Sequence, residues 1–188
     1  MSKHENTEIK KTKRKLTDLS VEELCGFVQE LCAINKDNRL FADMFLGNDA
    51  EQCFKATQKK IEKALSYNWN RRGETTKIWN FKEVSLWLKA YRMFRKDLAE
   101  LAELYIYAAE TGNQITLDMG DIDERYYESM ENLFETACAA VNDIPSGESR
   151  SEYIDKLKSI AQSTDGIGWG YHDSMEDIFF EAFDENEK

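Results

Sequence analysis

Proline is almost absent from this chain. Pro145 stands alone among 188 residues, and glycine occurs only nine times. So little turn punctuation argues against many short strands and favours long helices. Long apolar runs are missing too. No stretch approaches the roughly 20 residues that span a bilayer, so no membrane segment and no membrane partner is expected. The first 15 residues, MSKHENTEIKKTKRK, lack an apolar centre and do not read as a secretory signal, which points to the cytoplasm. Histidine occurs twice, as His4 and His172. The four cysteines, Cys25, Cys32, Cys53 and Cys138, fit no zinc spacing. Cys25 and Cys32 fall on one helix face, and the set reads as reduced core thiols. Also absent are a phosphate-binding glycine loop, the G-x-S-x-G turn and the H-E-x-x-H motif. No cofactor is expected.

Charge is plentiful but unevenly placed. Residues 1–15 hold six basic and two acidic side chains, and residues 16–54 hold two and eight. Residues 55–96 hold twelve basic against three acidic, while residues 97–188 hold five against twenty-three. A strongly basic middle thus sits inside a chain of net charge −11.

The length suits one domain with a sizeable core. Residues 1–15, polar and without apolar periodicity, read as a disordered basic tail. Residues 16–184 read as a single all-helical domain, and 185–188 as an acidic C-terminal end. Within the domain a helix opens at LSVEEL, where Ser20 and Glu23 form a capping box. A short helix through Leu40, Phe41, Met44 and Phe45 stops at Gly47, and another begins at Asn48. The segment YNWNRRGETTKIW breaks the periodicity and reads as a loop. Asn80 caps the longest helix, with Val84, Leu88, Tyr91, Leu98, Leu101 and Tyr105 on its apolar face. Gly112 would end it. About 30 residues at 1.5 Å each make a rod of roughly 45 Å. NQITLDMG follows as a loop with room for a short strand. DIDE, with Asp121 and Glu124 as the capping pair, starts a helix through Met130 and Phe134. The expected architecture is all-α, six or seven helices packed as helical hairpins around that one long helix.

Two segments match at a shift of 45 residues: IDERYYESMENLF (122–134) and IGWGYHDSMEDIF (167–179). Tyr126 pairs with Tyr171, Met130 with Met175 and Phe134 with Phe179. A period in the forties is that of HEAT-like helix pairs, so a short repeat pair is expected. The shared residues read as scaffold. Any special chemistry would lie in what is not shared: Gly168, Trp169, Gly170, His172 and Asp173.

Three sets of residues are candidates for function. His172 with Asp173 and Glu176 could serve acid–base catalysis, His172 meeting Glu176 one turn on. The plainer reading is a helix start, with Asp173 and Glu176 favouring the helix dipole. Asp118, Asp121 and Asp123 gather carboxylates, but their offsets do not fit a calcium loop, and no metal site is expected. The basic middle is the third. Lys82, Lys89, Arg92 and Lys96 make a stripe on the long helix. Trp69, Arg71 and Arg72 lie in the preceding loop, and cations among aromatics can bind phosphates and stack bases. The plainer reading pairs the stripe with the acidic half. Trp169 and Tyr171 complete the binding candidates.

GDIDERYYESMENLFETA and IGWGYHDSMEDIFFEAF, with the opening LSVEEL, resemble a family of small bacterial proteins known only as a domain of unknown function. The resemblance covers most of residues 16–183. It implies an all-helical bacterial cytosolic protein and supplies no activity or catalytic residue. The leading expectation is a non-enzymatic interaction module with a protein partner. A nucleic-acid-associated protein using residues 55–96 is the first alternative, and an enzyme using His172 the second.

Overall fold

The computed structural model describes residues 12, 15–69, 75–77, 79–168 and 170–183. Nearly all of the expected basic tail and the whole of the acidic end at 185–188 lie outside the described residues. The fold is all-α: among the described residues it has eight helices and one two-stranded ribbon. The chain divides after Leu46 into two compact units, 1–46 and 47–188, where the sequence suggested one domain over 16–184.

The first unit is a pair of helices, α1 (Val21–Ile34) and α2 (Lys36–Leu46), packed together. The capping box at its start is present in full. Glu23 donates its N–H to Ser20 Oγ at 3.2 Å, and Ser20 donates its own to Glu23 Oε2 at 2.8 Å. Asn38 Nδ2 donates to the Leu31 carbonyl at 2.9 Å and ties α2 to α1. No side chain of α1 is buried, and Phe27, Val28 and Ile34 are exposed.

The second unit holds α3 (Ala50–Ala64), a ribbon of β1 (Tyr67–Trp69) and β2 (Thr75–Lys77), α4 (Phe81–Phe94), α5 (Leu98–Met119), α6 (Glu124–Asn142), α7 (Glu148–Gln162) and α8 (Tyr171–Phe183). Asp49, not Asn48, caps α3, its side chain accepting from Gln52 N–H at 3.0 Å. The expected loop at 67–79 contains an antiparallel pairing, Tyr67 with Lys77 and Trp69 with Thr75. Tyr67 Oη donates to Asp118 Oδ2 at 2.8 Å and pins this ribbon to α5.

The long rod is in fact two helices. α4 ends at Phe94 and α5 begins at Leu98. Asp97 Oδ1 accepts from the N–H groups of Ala99 and Glu100 at 2.9 and 3.0 Å, which makes it the N-cap of α5. Glu100 braces the corner, accepting from Tyr91 Oη at 2.7 Å and lying 3.7 Å from the Arg95 guanidinium. No glycine or proline marks the break, so the apolar periodicity alone runs through it.

α5 then passes Gly112 and continues to Met119, with Gly120 at φ +74° as its C-cap. The expected loop at NQITLDMG is therefore helix. Gly112 serves close approach instead of termination. A Cβ there would stand 2.3 Å from Met130 Sδ, and Tyr126 Oη donates to the Gly112 carbonyl at 2.7 Å. Eleven of the 22 residues of α5 are buried, spread around the helix, so α5 is the centre of the unit. α3, α4, α6 and α7 all pack on it.

α6 and α8 pack against each other. The residues that match at the 45-residue shift are buried in both: Tyr126 and Tyr171, Met130 and Met175, Phe134 and Phe179. Asp123, not Asp121, caps α6, accepting from Tyr126 N–H at 3.0 Å.

Candidate functional site

α4 and α6 both pack on α5 and leave an open groove of about 600 Å³ between them. Its α4 wall presents Phe81, Lys82, Ser85, Leu86 and Lys89, and its α6 wall Ser129, Asn132, Leu133 and Thr136. Val84 and Leu88 of α4 and Tyr105 of α5 form an apolar floor, all three buried. These positions follow from helical spacing. Phe81, Ser85 and Lys89 are four apart, and Ser129, Asn132 and Thr136 keep one face of α6 toward the groove. Burial holds the Tyr105 phenol above its ordinary value, with nearby Arg92 opposing the shift.

The walls differ in chemistry. Lys82 and Lys89 are exposed, and among the described residues neither has an ion-pair partner. On the α6 wall three of the four side-chain donor hydrogens are already used. Ser129 Oγ donates to the Arg125 carbonyl and Thr136 Oγ1 to the Asn132 carbonyl, both at 2.8 Å, and Asn132 Nδ2 donates to the Glu128 carbonyl. That wall therefore offers lone pairs. No histidine, cysteine or carboxylate is among the groove's lining residues. An apolar floor thus lies between a cationic wall and a largely accepting wall.

The four-residue cationic stripe is not kept whole. Lys82 and Lys89 stay on the groove. Arg92 turns toward the acidic half and stands 4.0 Å from Asp143, and Lys96 falls in the connection after α4. Internal pairing thus accounts for Arg92 but not for Lys82 or Lys89. Arg71 and Arg72 lie outside the described residues, and the backbone of Trp69 ends β1. Of the expected cationic set, the structure places Lys82 and Lys89 at the groove. The α6 wall was not anticipated. Its signal was a stripe of uncharged polar residues, Ser129, Asn132 and Thr136, among the glutamates of α6.

Tyr171 presents no surface to solvent. It is fully buried and stacked on Tyr127, with ring centroids 4.6 Å apart and planes inclined by 26°. Its hydroxyl donates to Asn113 Oδ1 at 3.3 Å, and Asn113 Nδ2 donates to Ser163 Oγ at 2.8 Å. Trp169 lies outside the described residues. The flanking Gly168 donates its N–H to Asp121 Oδ1 at 2.9 Å.

His172 works as a clip. The buried Thr164 hydroxyl donates to the Ala161 carbonyl at 2.6 Å and is hydrogen-bonded to His172 Nδ1 at 2.9 Å. His172 Nε2 faces Glu176 Oε2 at 3.7 Å. Asp173 is exposed on the first turn of α8. The meeting of His172 with Glu176 is as the spacing implied, but it joins the turn after α7 to α8 and lines no part of the α4–α6 groove.

The three metal candidates are separated by their work. Asp118 accepts from Tyr67 Oη and from Gln114 Nε2, Asp121 from Gly168, and Asp123 from Tyr126. Among the described residues no group of three metal-ligating side chains comes together. No described helix is long and apolar enough to cross a membrane. Set against known protein families, curated proteins and solved structures, the chain matches none of them.

Proposed function

We propose that the protein is a non-enzymatic, protein-binding module of the bacterial cytoplasm, and that the α4–α6 groove receives a helical segment of its partner. The observation that carries this reading is the groove itself: an apolar floor, open along two helices, with Lys82 and Lys89 on its rim and without ion-pair partners among the described residues. A third amphipathic helix laid between α4 and α6 would cover the floor and meet the lysines, as in helix-in-groove recognition. Exposed Leu86 adds apolar surface at the lip. The matched segments at 122–134 and 167–179 belong to this reading as a repeated scaffold of one helix pair, and so does the resemblance to the bacterial family.

The test is selection from a displayed library of helical peptides, unbiased in charge, against the full chain. Binders should be recovered that lose affinity when Leu86→Asp is introduced at the lip. Binders indifferent to that change, or none at all, would overturn the reading.

A further inference from the structure

Resting on that reading, we infer that the groove selects its partner by charge polarity across its width. The preferred occupant is an amphipathic helix with an apolar central stripe, carboxylates along the edge that meets α4, and hydrogen-bond donors along the edge that meets α6.

Spacing gives the first half of the argument. Lys82 and Lys89 are seven residues apart on α4, two helical turns, and so stand on one face about 10.5 Å apart along the axis. A partner helix running alongside repeats its own edge at the same interval, so carboxylates seven apart would meet both ammonium groups together. This is the edge pairing that sets partner choice in helical assemblies.

The accepting wall gives the second half. With the hydroxyl hydrogens of Ser129 and Thr136 and one of the two Asn132 amide hydrogens committed to α6 carbonyls, the groove side of α6 is rich in oxygen lone pairs, Asn132 Oδ1 foremost. A carboxylate placed there would face mostly acceptors, with one Asn132 N–H as the remaining donor. Exposed Glu128 and Glu135, seven apart on the same side as Asn132, add repulsion. Arg125, in the first turn of α6, is the one cation on that rim. Arginine, lysine, asparagine or glutamine on the occupant would satisfy this wall. An occupant acidic on both edges would match only α4, and one basic on both edges only α6. Complementarity of this kind governs specificity more than affinity.

The test uses the full chain and three synthetic helical peptides that share one apolar stripe. The first carries glutamates on one edge and arginines on the other, the second glutamates on both, the third arginines on both. Binding is read by fluorescence anisotropy, with myristate as a fourth probe. The split-edge peptide should bind about tenfold more tightly than either uniform one, the effect expected of two rim pairs. In the variant carrying both Lys82→Glu and Lys89→Glu, the all-arginine peptide should become the tightest. If all three peptides bind equally well and all are lost in Leu86→Asp, the charge inference falls and the helix-binding reading stands. If no peptide binds, both fall. If myristate binds in the groove and the peptides do not, the occupant is an anionic amphiphile and the inference is overturned.

Discussion

Asp121 accepts the backbone N–H of Gly168 across 47 residues of chain, and so joins the loop that opens α6 to the loop that opens α8. The same carboxylate oxygen accepts from Tyr127 Oη at 3.3 Å, and Tyr127 stacks on Tyr171 at the start of α8. A Cβ on Gly168 would stand 2.7 Å from Asp121 Oδ2, so the contact leaves no room for a side chain.

Gly168→Ala should therefore cost about 1–2 kcal/mol, the worth of the hydrogen bonds that Asp121 must give up to make room. Asp121→Ala should cost a similar amount. The two losses should not add, because alanine at 121 removes both the bond and the obstacle. A double-mutant cycle by urea denaturation measures this, and strict additivity would contradict the contact.

Gly112→Ala should destabilise by about 1–3 kcal/mol, since its methyl group would drive Met130 off the α5 backbone. The outcome expected of a C-cap glycine in left-handed geometry is different. There, asparagine would be tolerated nearly as well as glycine. Gly112→Asn should instead be the more damaging of the two substitutions, read from thermal melts of both variants.

Thr164 keeps its bond to the Ala161 carbonyl when the imidazole is removed. His172→Ala should then cost about 0.5–1.5 kcal/mol, the net value of one hydrogen bond. Circular dichroism should show the helical content unchanged. Loss of a hydrolytic activity in this variant, with the fold intact, would favour the enzyme reading over the binding module.

Burial raises the phenols of Tyr91, Tyr105, Tyr126 and Tyr171 above their usual 10.0. The Cys138 thiol is pushed up from 9.0 to about 12, again chiefly by burial. The unfolded chain, with ordinary values, gives up these protons first. The stability they contribute is complete below about pH 9 and is lost as the pH rises through 9 and 10 toward the folded-state values. Urea midpoints measured from about pH 8 to about pH 11 should fall steadily, with tyrosinate absorbance appearing together with unfolding. A level or rising midpoint would count against this account.

Replacing Lys82 and Lys89 together by glutamine should leave stability within about 0.5 kcal/mol, because neither has an ion-pair partner among the described residues. The same variant separates two functions. If the groove bound single-stranded RNA, affinity at low salt would drop and the salt dependence would flatten with each lost phosphate contact. The acidic surface of residues 97–188 makes that binding weak from the start, and a strong, steeply salt-dependent complex would replace the protein-binding reading.

Local rules within four residues along the chain were decisive for the helical class. The Ser20–Glu23 box, the Asn80 cap and the stop at Gly47 all stand where the sequence puts them. Asp97 with Glu100 three residues on was a legible start signal as well, hidden because the apolar face continues from α4 into α5. Gly112 could not be read this way. Its carbonyl and its missing side chain are explained by Tyr126 and Met130 on another helix. The inward face of α8 was legible from its period, which is why Tyr171, Met175 and Phe179 are buried as that period requires. The groove was not, because it depends on how α4 and α6 lie across α5. Periodicity assigns a residue to a face of its own helix, but only packing decides which faces meet and which stay open. Sequence alone thus determined the helical class and the caps at Ser20 and Asn80, and the tertiary structure turned Lys82, Lys89 and the uncharged stripe of α6 into opposite walls of one groove.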